Sequence, residues 1–91
     1  MRIFIGYDSR LLGDRFAELK KIIDQNFPNR WHSFDSSYIV STDPSVLQVR
    51  DLILPALNTN DSVLVAELGK EWLGIGLSEK NRNLMDGINY V

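Results

Sequence analysis

Asp8 is the residue of this 91-residue chain with the most chemistry open to it. It closes the apolar run Ile3-Phe4-Ile5-Gly6-Tyr7. A carboxylate there is a hard oxygen donor of the kind magnesium or manganese takes, usually with waters and substrate phosphates completing the shell. A cation so held activates water for attack on a phosphodiester. One carboxylate per chain is a thin site, and a plainer role competes with it: Asp8 caps the helix that follows or simply ends a strand. Ser9 and Arg10 come next. Arg10 is suited to a phosphate, or else is a solvated residue at the helix entrance. Ser36 and Ser37 can donate hydrogen bonds to the same group, although turn formation is the commoner use of such residues.

The remaining reactive side chains are few. His32 is the sole histidine, so a multi-histidine metal site within one chain is excluded. It suits general acid–base work in RNA cleavage, against the bland alternative of a packed or surface residue beside Trp31. Glu67 and Glu71 can pair on a metal, or face water at a strand end. Trp31 and Trp72 can stack on bases, but packing in a core or dimer interface uses their area better. Gly74-x-Gly76 lacks the third glycine and the lysine of phosphate-binding loops, so a bulge or tight turn is expected. With no cysteine in the chain, disulfides, thiolate zinc sites and cysteine nucleophiles drop out.

The elements that must position these groups are legible from periodicity. Residues 2 to 8 alternate, with Ile3, Ile5 and Tyr7 on one face and Phe4 and Gly6 on the other, which predicts a strand covered on both sides. From Arg10 to Phe27 the spacing of Leu12, Phe16, Leu19, Ile23 and Phe27 predicts an amphipathic helix, stopped before Pro28. Trp31–Asp35 and Ser37–Thr42 read as two short strands. Thr42-Asp43-Pro44 predicts a helix start with proline in the first helical position, and Val46, Val49, Ile53 and Leu57 form its apolar stripe. Pro55 bends or shortens its end. Ser62–Leu68 is a further strand. The segment Trp72–Leu77 suggests an edge strand or bulged loop, and Ser78-Glu79-Lys80 opens a last helix through Leu84, Met85 and Ile88.

That order predicts an α+β fold of ferredoxin-like β-α-β-β-α-β type, a single domain over residues 1–91 in which 72–91 form a C-terminal extension. Two helices cover one sheet face. Phe4, Leu64, Ala66 and Leu68 supply apolar groups to the other, and this predicts cover by a second copy or by the Trp72–Leu77 segment. The composition, 44% hydrophobic and 24% charged, is that of a globular protein. The opening residues are apolar for too short a run to make a signal peptide, and no stretch reaches the ~20 residues that span a bilayer. Cytoplasmic residence without a membrane partner is the default expectation. The formal net charge of -2 carries no basic surplus for phosphate neutralisation, so nucleic-acid binding would need Arg and Lys gathered on one face by folding or dimerisation.

The strand ending in Tyr7-Asp8, the strand pair over Ser33–Val40 and the run Asp61-Ser62-Val63-Leu64-Val65 together resemble one protein group. They are similar to the smaller of the two core CRISPR spacer-acquisition proteins and its relatives, which include virulence-associated protein D toxins. Trp31-His32, Asp35-Ser36-Ser37 and Glu71-Trp72-Leu73-Gly74 resemble still more closely a set of short bacterial proteins labelled SinR-like. The strand-rich pattern argues against the helix-turn-helix regulator that this label suggests. The resemblance implies a homodimeric ferredoxin-like protein that acts on or binds nucleic acid. It further implies that Asp8 of each subunit is a ligand to a divalent metal, Mg2+ or Mn2+, across the dimer; Arg10 and Ser37, from their own chemistry, are the candidate contacts to nucleic acid. The Glu71–Val91 tail departs from that group's usual C-terminal exchange strand. The alternative is a non-catalytic dimeric module that docks another protein.

Overall fold

The computed structural model describes residues 1–8, 14–34, 36–58 and 61–86. Within these, four antiparallel strands form one sheet, accompanied by three α-helices. The strands are β1 (Arg2–Tyr7), β2 (Arg30–Phe34), β3 (Ser37–Ser41) and β4 (Val63–Glu67), and the helices α1 (Asp14–Asn26), α2 (Val46–Ile53) and α3 (Glu79–Met85). The order across the sheet is β2-β3-β1-β4, which puts β1 and β3 in the middle. None of the described helices is long and apolar enough to cross a membrane.

Strand pleat divides the apolar residues between two faces. Ile3, Ile5 and Tyr7 of β1 are buried on the first face, with Tyr38 and Val40 of β3 beside them. Against them α1 sets Leu19 and Ile23, and Phe27, just past its end, continues the same spacing. Val49 and Ile53 of α2 complete this core, and Val63 and Val65 of β4 pack on it half-buried. The start of α2 differs from the sequence expectation. Ser45 is the N-cap, its hydroxyl accepting from the Gln48 N–H while the Gln48 side chain accepts from the Ser45 N–H. This reciprocal pair satisfies two orphan donors at once, which proline after Asp43 does not. Pro55 shortens the helix as expected, into a 3-10 turn over Leu54–Ala56.

The second face is closed differently. Ile39 packs with Leu84 and Met85 of α3, and Phe4, Trp31, Leu68 and Trp72 border them. The cover therefore comes from α3 with Leu68 and Trp72, while Leu73 and Ile75 stand fully exposed. No strand forms between Leu68 and Ser78; the segment is a loop that turns at Gly76, where φ is +76° and a side chain would be strained. Arg2 ties this segment to β1, its guanidinium donating to the carbonyls of Met85 and Gly69. Ser78 caps α3 through the Asn81 N–H, as the Ser78-Glu79 signal predicts. Ile88 lies outside the described residues.

Candidate functional site

Asp8 stands one residue beyond β1, still in the ladder. Its N–H donates to the Ser62 carbonyl at 3.0 Å, and the Tyr7 N–H donates to the Ser36 carbonyl at 2.9 Å. The pairing of Tyr7 with Val63 thus continues as Asp8 with Ser62. Continued alternation sets Asp8 on the second face, after Phe4 and Gly6. Next to it lies a shallow hollow lined by Phe4, Gly6, Ser36, Ser62 and Leu64. The Phe4 ring lies over Gly6, where a Cβ would fall 2.6 Å from it and make the ring shift. Asp8 is half-buried, and Leu64 beside it keeps 63% of its surface exposed.

Among the described residues, Ser36 is the one other predicted site residue at the hollow beside Asp8. Ser37 begins β3, is buried to 5% exposure, and its hydroxyl is hydrogen-bonded to that of Ser33 at 2.7 Å. Arg10, Ser9 and Asp35 lie outside the described residues. Glu67 is exposed opposite Ile3 at the far end of β1 from Asp8, and Glu71 is exposed in the loop that follows. Among the described residues no three His, Asp or Glu side chains converge as a metal cage. Trp31 and Trp72 serve the second-face cluster.

His32 takes a place that its neighbours in sequence do not announce. A register irregularity between Trp31 and Phe34 puts both of those aromatic rings on the second face, 6.4 Å apart, and leaves His32 on the first. There its ring stacks on Tyr38 (centroids 4.4 Å, 8° between planes), and Nε2 is 3.3 Å from the Tyr7 hydroxyl. Phe16 of α1 borders both Tyr7 and His32. Further along the same side Asp24 joins Lys20 (2.7 Å) and Arg30 (2.8 Å). The hydrogen bond from Lys20 holds the Asp24 carboxyl below the ordinary carboxylate range, with the Arg30 charge adding to it. Burial pushes the Tyr38 phenol above its usual value. Tyr7 and Tyr38 are partners that sequence reading missed; Tyr7 and His32 are 25 residues apart, and no local pattern marks such a pair.

Comparison with protein-family models, curated proteins and solved structures finds no match for this chain. What the site does is therefore argued from its own chemistry.

Proposed function

We propose that the chain is a ferredoxin-like domain that works as a homodimer on nucleic acid, with Asp8 of each protomer as the metal-binding carboxylate. The ferredoxin-like assignment is supported by the strand order β2-β3-β1-β4 with β-α-β-β-α-β connectivity. The observation that carries the functional reading is the place of Asp8, in register at the end of a central strand, on a sheet face the chain covers only in part.

The donor chemistry fits a hard divalent cation, since Mg2+ is commonly held by one or two carboxylates with waters and phosphates making up its shell. Two copies of Asp8 would be those carboxylates. When bound, Mg2+ or Mn2+ supplies an activated water and neutralises phosphate charge. The chain's own part is to fix Asp8 by its backbone pairing with Ser62; Ser37, buried and hydrogen-bonded to Ser33, would reach a phosphate only after giving up that bond. The test is cleavage of labelled RNA and DNA in Mg2+, Mn2+ or chelator, comparing the native chain with Asp8→Asn. The reading requires metal-dependent cutting that the variant loses while its circular dichroism spectrum is kept; equal background from both proteins removes it.

A second reading, a non-catalytic dimeric module, is favoured by the exposure of Phe34, Leu64, Leu73 and Ile75. On that reading Asp8→Asn is silent in every assay, and substitution of an exposed apolar residue abolishes association.

A further inference from the structure

The two edges of the sheet are finished unequally. At β2 the ladder is broken by the register irregularity between Trp31 and Phe34, and such a break turns an edge away from further pairing. At β4 the register with β1 runs unbroken from Tyr7 with Val63 to Ile3 with Glu67. Two terminal bonds fix which groups face which way: the Asp8 N–H donates to the Ser62 carbonyl, and the Leu68 N–H to the Arg2 carbonyl. By the alternation of an antiparallel ladder, Ser62, Leu64, Ala66 and Leu68 therefore turn their backbone groups to β1. Val63, Val65 and Glu67 turn theirs outward, and among the described residues no strand pairs with them. Neither proline nor lysine stands in β4 to blunt this edge; its one charge is Glu67.

Side chains along the edge select its occupant. Val63 and Val65 pack on the first face and Glu67 follows them there, opposite Ile3, while Leu64 lies on the second face with 63% of its surface exposed. Both ends of the edge are acidic, with Glu67 exposed in the strand and Asp61 half-buried just before it. A second copy of β4 laid antiparallel about Val65 would set Glu67 diagonal to the partner's Asp61 at each end, like charge beside like. A strand of another protein with basic residues at those two positions meets opposite charges instead.

We propose that the free edge of β4 is a docking site for an extended segment of another protein, added antiparallel as a fifth strand. Its β-branched residues lie beside Val63 and Val65, and its basic residues beside Glu67 and Asp61. Backbone hydrogen bonds supply the affinity and alternate side chains the selection. The added strand lies in the plane of the sheet beyond β4, so it leaves the second-face position of Asp8 in the function proposed above as it is.

The probe is the peptide acetyl-Lys-Thr-Val-Ile-Val-Thr-Lys-amide, whose lysines fall beside Glu67 and Asp61 in that register. Titrated into the isotope-labelled native chain and followed by amide NMR, it should slow hydrogen exchange at Val63, Val65 and Glu67 and leave Leu64 and Ala66 little changed. N-methylation at the two valines removes donors that face β4 and should weaken binding roughly tenfold, against less than about threefold for N-methylation at the two threonines, which face water. Glu67→Lys should reverse the preference for this peptide over one with glutamate at both ends. Absence of binding, or equal affinity for the two methylated peptides, overturns the proposal. So does exchange at Val63, Val65 and Glu67 that is already as slow as at Leu64 and Ala66 before peptide is added, since the edge is then paired within the chain or by a second copy. Metal-dependent cleavage and its loss in Asp8→Asn are read without the peptide, so either proposal can fail alone.

Discussion

The two faces of the sheet are finished in different ways. On the first, α1 and α2 close over Ile3, Ile5 and Val40, and Leu19, Ile23, Phe27, Val49 and Ile53 are almost wholly buried. On the second, a seven-residue helix buries Leu84 and Met85 against Ile39 and leaves Phe34 and Leu64 largely in water. Both faces were built from the same strands by the same alternation. The difference is that the first is closed by two helices, α1 and α2, and the second by the single helix α3 with Leu68 and Trp72. Stability should therefore concentrate on the first face and association on the second.

Core truncation should break that division most severely. Phe27→Ala, at a side chain with 1% exposure, should destabilise the monomer by about 3–5 kcal/mol in chemical denaturation. Leu84→Ala removes a fully buried side chain from the smaller cluster. It should lose about 2–3 kcal/mol, toward the low end of the range for such changes, because α3 can settle into the space. A loss equal to that of Phe27→Ala would show that the second face is as much a part of the folding core as the first. Ser45→Ala should lose about 1 kcal/mol by opening the capping box of α2. Leu64→Asp, on the exposed surface, should change monomer stability by no more than about 0.5 kcal/mol.

The smallest effect is electrostatic. Asp24 has its folded-state pKa lowered, chiefly by the hydrogen bond from Lys20, so the unfolded chain takes up its proton first as pH falls. The stabilisation is complete above the ordinary carboxylate value of 3.8 and is lost as pH drops below it. Asp24→Asn should flatten the acid limb of a thermal-melting profile between about pH 5 and 2 by slightly lowering the neutral plateau, while the two proteins converge at the acid end. Tyr38 acts oppositely: burial raises its pKa, so stability falls as pH climbs past 10.

Local chemistry made much of the fold legible. The alternation in β1, the spacing of Leu19, Ile23 and Phe27, and the Ser78-Glu79 helix start each depend on residues a turn or less apart. The start of α2 was legible in kind but not in place: Thr42-Asp43-Pro44 pointed to an earlier start, and the hydrogen bonds put the cap at Ser45 with Gln48. The path of Trp72–Leu77 was not legible. Its two glycines interrupt any period, and it is held near the sheet by Arg2, some 70 residues earlier, donating to Gly69. The candidate site divides the same way. Asp8 was evident as the residue closing an apolar alternation. The pairing of His32 with Tyr7 and Tyr38 was not, because a strand irregularity decides which face His32 takes.

Amide hydrogen exchange measured by mass spectrometry at low and high protein concentration tests the central contrast most directly, since it reads both faces in one sample. The account predicts that peptides covering 4–8 and 62–64, at the hollow beside Asp8, gain protection as concentration rises, while those from α1 and α2 stay protected and unchanged. Protection that is independent of concentration at 4–8 and 62–64, or that changes equally in α1 and α2, would contradict it.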